Sequence, residues 1–206
     1  DYISFVNKHY KCLTPFEKRS HSVLLTIAIE YKDRKLYDLA FNYIDIIEED
    51  YGEFCLSSKV LKATIYNECG QYNNTINLLS PLAKKHRYHN GLLYHLCVAY
   101  IQNEDKQQFV DLFPKFIAVS DNFIPWRFFI IYALYQFQLN NLDVAKQVLT
   151  HIIRLHQQFP HSVSEAIALA AKEAYSSLGF QENKEPNQLG SRSAKDHLKS
   201  NSPRSF

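Results

Sequence analysis

Glycine is scarce in this chain, with five residues in 206, and proline supplies only seven. A β-sandwich or barrel needs many tight turns, so this scarcity argues against one and suits helices. Methionine is absent and the chain opens on Asp1, which leads us to expect a piece of a longer protein. The lack of a signal peptide then carries no weight. Neither sign of charge dominates, since 23 Lys and Arg stand against 21 Asp and Glu. Five of the basic and three of the acidic residues fall in 181–206, leaving 18 of each sign in 1–180. The body therefore has no net field to attract nucleic acid or an anionic membrane. No stretch approaches 18 uninterrupted apolar residues, so a spanning helix is not expected. The four cysteines, Cys12, Cys55, Cys69 and Cys97, show no paired spacing. Buried, reduced thiols in an intracellular, cytoplasmic setting are the expectation.

Aromatic and aliphatic residues are plentiful. Fourteen Tyr, fourteen Phe and a hydrophobic fraction of 46% are enough for one continuous core in a chain of this length. Their arrangement repeats. A helix-hairpin pattern recurs four times, centred on Ala40, Thr75, Phe109 and Ala145, at separations of 35, 34 and 36 positions. A period in the thirties marks an array in which each unit buries its apolar face against its neighbours. In the first unit Leu24, Ile27, Ala28 and Tyr31 share one helix face, and Tyr37, Ala40, Ile44 and Ile47 share another across a polar turn at 32–35. The second unit aligns Ala63, Tyr66, Gly70, Tyr72, Thr75, Leu79 and Leu82. The third aligns Cys97, Tyr100, Phe109, Phe113 and Phe116, and the fourth Ala133, Leu142, Ala145, Leu149 and Ile152. An Ala-rich helix over 162–178, closed by Gly179, follows.

On these residues the chain resembles the tetratricopeptide-repeat superfamily of helical hairpins. The resemblance implies an all-α, right-handed α–α superhelix of about four hairpins plus a capping helix. The expected organisation is a lead-in over 1–19, a repeat domain over 20–180 and a flexible polar tail over 181–206. Within the lead-in, residues 1–13 are expected to form a short helix that ends before Pro15. Three departures stand out. Phe109 occupies a place the family fills with a small residue, so the third hairpin should splay or re-pack. Lys59 and Lys62 fall where apolar residues are usual. Pro81 and Pro114 lie inside second helices, which they should kink or end.

The resemblance also implies a concave face lined by the first helix of each unit, at Ser22, Leu25 and Ile29; Ser57, Val60 and Thr64; Gly91, Tyr94 and Val98; and Arg127, Ile130 and Leu134. Leu25, Ile29, Val60, Thr64, Tyr94, Val98, Ile130 and Leu134 make that face mainly apolar, a fit for an apolar partner segment. The Lys and Asn of the family's carboxylate clamp are replaced by Leu25 and Ile29, so that specificity is not expected. The function implied is a protein-interaction scaffold, adaptor or complex subunit whose partner is a protein or peptide. A chaperone holding a hydrophobic segment of one client is the alternative, and an RNA-binding module ranks behind both.

Lys84, Lys85 and Arg87 form the one dense basic run, a candidate patch for phosphate or RNA, although basic residues also suit a helix C-terminus. The nine histidines and four cysteines show no metal-ligand spacing, so no metal and no cofactor are expected. Arg154 and His161 match the Arg–His spacing of some helical ribonucleases only loosely, with Pro160 between them. No phosphate loop, nucleophile elbow or paired-carboxylate motif is present, and the chain is not expected to be an enzyme. The acidic run Glu48–Asp50 is expected to be a solvated helix end, and the aromatics opening the fourth unit at Trp126 to be inter-unit core.

Overall fold

The computed structural model describes residues 20–52, 55–120 and 125–180. The expected lead-in over 1–19 with its helix and Cys12, and the expected tail over 181–206, lie outside the described residues. All regular structure among the described residues is helical, in nine helices: α1 (His21–Asp33), α2 (Tyr37–Tyr51), α3 (Leu56–Glu68), α4 (Tyr72–Lys85), α5 (Asn90–Gln102), α6 (Lys106–Val119), α7 (Trp126–Gln138), α8 (Leu142–Gln158) and α9 (Glu165–Ser177).

The odd-numbered helices all end in the same way. The residue after each C-cap has positive φ: Lys35, Gly70, Glu104, Asn140 and Gly179. At each, two backbone bonds close the helix, as where Gly70 N–H donates to the Asn67 carbonyl and Gln71 N–H to the Tyr66 carbonyl. This is the Schellman motif, which satisfies carbonyls that a helix end leaves free. The first four of these turns occupy three residues each, and the five closing residues are spaced by 35, 34, 36 and 39 positions. Each turn sends the chain back along the preceding helix, so α1 packs on α2, α3 on α4, α5 on α6 and α7 on α8. Each hairpin then packs on the next element through α2 on α3, α4 on α5, α6 on α7 and α8 on α9. Direct packing also joins α1 to α3, α3 to α5 and α7 to α9.

Small residues face each other within these pairs. Ala28 with Ala40, Ala63 with Thr75, and Ala133 with Ala145 are all fully buried. The third hairpin sets Cys97 and Phe109 at the corresponding places, both fully buried. Re-packing is the outcome there: Phe109 meets Phe113 within α6 and turns its ring edge-to-face toward Phe128 and Tyr135 of α7. Phe113 in turn lies 4.9 Å from Phe129, centroid to centroid. Such edge-to-face pairs follow the ring quadrupole and add to the burial energy. A layer of Phe side chains thus separates the third hairpin from the fourth.

The other two departures stay within continuous helices. Pro81 does not end α4, which continues to Lys85, and Pro114 does not end α6, which continues to Val119. Lys59 and Lys62 keep their place in α3 because α2 supplies carboxylates. Lys59 Nζ lies 3.1 Å from Glu48, while Lys62 lies 3.3 Å from Asp45 and 3.6 Å from Glu48. Ser58 adds a hydroxyl 3.4 Å from Glu48. Glu48 is therefore half-buried at the centre of an α2–α3 network, and the expectation of a solvated acidic run fails for it. The expectation of buried thiols also needs correcting. Cys97 is buried and Cys55 half-buried, but Cys69 is exposed at the end of α3.

Candidate interaction surfaces

The expected groove residues sit on α1, α3, α5 and α7. Leu25, Val60, Thr64, Tyr94, Val98, Ile130 and Leu134 are all half-buried, while Ile29 is 40% exposed. Five of the seven half-buried side chains pack against a core cluster. Leu25 packs against the cluster of Ala28, Ala40, Ile44, Leu61 and Ile65, and Ile130 and Leu134 against that of Ala133, Ala145 and Leu149. Val60 and Tyr94 belong to the margin of the central cluster. A Cβ added to Gly91 would lie 3.5 Å from Val60 Cγ1, so a methyl group there would just reach van der Waals contact with α3. Tyr94 stacks on Phe128 of α7 at 5.6 Å and 11°. Of the polar residues in the set, Ser22 and Arg127 are exposed and Ser57 is half-buried.

Polar links between units escaped the reading of the sequence. Thr64 Oγ1 is 2.9 Å from His95 Nε2, and Asn67 Nδ2 donates to the His95 carbonyl at 3.0 Å. Asn67 Oδ1 in turn lies 2.7 Å from the buried Thr75 hydroxyl. Burial, followed by the charge of Lys32, pulls the His95 pKa down from 6.5 to about 4, so the imidazole is held neutral. At the other end of α3, His21 Nε2 lies 3.0 Å from Cys55 Sγ and 2.9 Å from Ser57 Oγ. The His21 ring also meets Tyr51 edge-on. This cluster ties the start of α1 to the start of α3. Glu68 does the same at their far ends, receiving Lys32 at 3.7 Å and the Tyr37 hydroxyl at 3.1 Å. These partners are about thirty positions apart, one unit along the chain, and single-helix periodicity cannot pair them.

Burial raises the Cys97 thiol far above its ordinary pKa, away from the reactive thiolate. Among the described residues no three His, Cys, Asp or Glu side chains are grouped to hold a metal ion. Arg154 and His161 are both exposed, the first on α8 and the second beyond its end. Trp126 packs on Phe129 and donates its indole N–H to the Ser162 carbonyl at 3.1 Å, joining α7 to the segment before α9.

The basic run is placed more specifically than its sequence suggested. Lys84, Lys85 and Arg87 are exposed at and beyond the end of α4. Lys84 and Arg87, though not Lys85, line a depression of about 620 Å³ between α4, α5 and α6. Lys115 of α6 joins them there, a residue the sequence reading passed over. No described helix is long and apolar enough to cross a membrane. Comparisons with protein-family models, with curated proteins and with solved structures returned no match.

Proposed function

We propose that this chain is a tetratricopeptide-like α–α superhelix acting as a non-catalytic protein-interaction scaffold or complex subunit. Its partner is a protein segment with an apolar face. The observation that carries the reading is the side-by-side packing of α1, α3 and α5, which carry Leu25, Ile29, Val60, Thr64, Tyr94 and Val98. The recurrent left-handed closing residue of the odd-numbered helices and the three-residue turns of the first four support the repeat assignment. Partly covered apolar side chains on successive helices give a partner helix or extended segment a surface to dehydrate. In this reading Ile130 and Leu134 extend the surface onto α7, and α9 caps the array. A reducing, cytoplasmic setting suits the free thiols of Cys55 and Cys69.

Affinity purification of the tagged chain, with mass spectrometry, tests the reading when it is run beside Ile29→Asp and Val98→Asp. An unpaired carboxylate pressed against an apolar partner surface is strongly unfavourable. Both variants should lose the stoichiometric partner while retaining a cooperative helical melt. Partners retained by both variants would overturn the choice of surface. A client that is soluble only when co-expressed would replace the scaffold with a dedicated chaperone.

A further inference from the structure

The depression between α4, α5 and α6 lies away from the surface just described. On α5 its residues Leu93, Leu96 and Tyr100 recur at i, i+3 and i+7. At about 100° per residue, this stripe is centred roughly 140° around the helix from Tyr94 and Val98. Leu93 and Leu96 form an apolar floor, and Ala83 and Leu112 form half-buried apolar walls.

The rim is cationic. Lys84, Arg87 and Lys115 are exposed, and no hydrogen bond or ion pair to the described residues engages their side chains. The one acidic lining residue, Asp111, receives the Gln107 side-chain amide at 3.0 Å. Three exposed cations lining one concavity with apolar walls concentrate positive potential there. An anion with an apolar anchor complements both features.

We infer that this depression is a docking site for an acidic segment of a partner protein, with a large apolar side chain seated against the half-buried Ala83 and Leu112, above the buried Leu93 and Leu96, and flanking carboxylates on Lys84, Arg87 and Lys115. The inference rests on the reading of the chain as a protein-recognition module but uses a different face of α5. Arg87 can grip a carboxylate with two parallel hydrogen bonds, while the lysines act as point charges. A nucleic acid fits less well. Tyr100, the one ring lining the hollow, is only 7% exposed, so a base finds no ring to stack on there. RNA would instead use Tyr88, which is 84% exposed next to Arg87 but does not line the hollow.

The test uses fluorescence polarisation with a labelled octapeptide, Asp-Glu-Asp-Leu-Phe-Glu-Asp-Glu, and, separately, with labelled decauridylate. The octapeptide should bind the chain, and the triple variant Lys84→Glu, Arg87→Glu, Lys115→Glu should weaken it at least tenfold. Replacing Leu-Phe in the peptide by Ser-Ser should cost a similar factor, and so should raising salt from 50 to 500 mM. The three substituted side chains are exposed, so the variant should keep the parent's melt, which circular dichroism verifies. Ile29→Asp should leave octapeptide binding unchanged, separating failure at this site from failure of the scaffold surface. The inference is overturned if the triple variant binds the octapeptide as the parent does, or if the Ser-Ser peptide binds equally well. It is also overturned if the octapeptide fails to bind, including when decauridylate binds and loses its affinity on Tyr88→Ala.

Discussion

Thr64 and His95, on the neighbouring helices α3 and α5, meet through Oγ1 and Nε2 at 2.9 Å in a half-buried position. The contact suits a neutral imidazole, and burial holds the ring neutral by lowering its pKa to about 4. The unfolded chain protonates His95 near 6.5, so it binds more protons than the folded chain between those two values. Stability should therefore be flat in this respect above pH 6.5 and fall as pH drops toward 4. It should then level off, with a total loss of about 3 kcal/mol from this group. His95→Gln, which cannot protonate, should flatten that part of the pH profile. Denaturant midpoints measured at half-unit pH steps for both chains give the comparison. Parallel slopes between pH 6.5 and 4 would rule His95 out as the source.

The left-handed closing residues give a prediction of two signs. Glu104 adopts φ 55°, where a side chain is strained, while Gly70 adopts φ 73° at no such cost. A Cβ at Gly70 would touch nothing within 4 Å, so Gly70→Ala isolates the backbone effect. It should destabilise by about 1 kcal/mol, and Glu104→Gly should stabilise by about 0.5 to 1 kcal/mol. Thermal melts moving in the same direction for both variants would show that the two turns are not equivalent.

These turns also show how far the sequence could be read. Ala40, Thr75, Phe109 and Ala145 stand out because a buried seat in each hairpin recurs at one period, and all four are fully buried. The hairpins were legible for that reason. The closing positions share no residue type, being Lys35, Gly70, Glu104, Asn140 and Gly179, so the common backbone motif is hidden behind different side chains. The surfaces were less legible. Lys59 reads as a misplaced charge until Glu48 is seen beside it, and Lys115 lies 28 positions beyond Arg87 in sequence yet lines the same hollow. Whatever depends on which helix follows across a unit boundary needs the packing, which no single helix pattern contains.

Glu48 supplies a prediction of that inter-unit kind. It faces Lys59, Lys62 and the Ser58 hydroxyl at once, in a half-buried setting where screening by water is reduced. Glu48→Gln preserves shape but removes the charge, leaving Lys59 without a carboxylate partner among the described residues. The expected cost is about 1 to 3 kcal/mol, above that of an ordinary surface pair. Glu49→Gln, at the exposed neighbouring position, should change stability by about 0.5 kcal/mol or less. Urea titrations giving equal shifts for the two variants would demote the network to surface decoration.

Phe109 is the sharpest case, because resemblance and packing predict opposite outcomes. A small residue is what the repeat pattern favours at that place, so Phe109→Ala should be tolerated or helpful if the pattern alone governed. The structure makes Phe109 fully buried, with its ring against Phe113, Phe128, Tyr132 and Tyr135. Truncation there opens a cavity between the third and fourth hairpins, and Phe→Ala in such a site typically costs about 3 to 5 kcal/mol. The reciprocal change, Ala145→Phe, forces a ring into a fully buried seat already closed by Ala133 and Leu149 and should cost about 1 to 3 kcal/mol. Both variants should therefore melt below the parent, and the two seats are not interchangeable despite their shared period. A Phe109→Ala chain as stable as the parent would mean that the aromatic layer contributes nothing that a standard hairpin crossing could not replace.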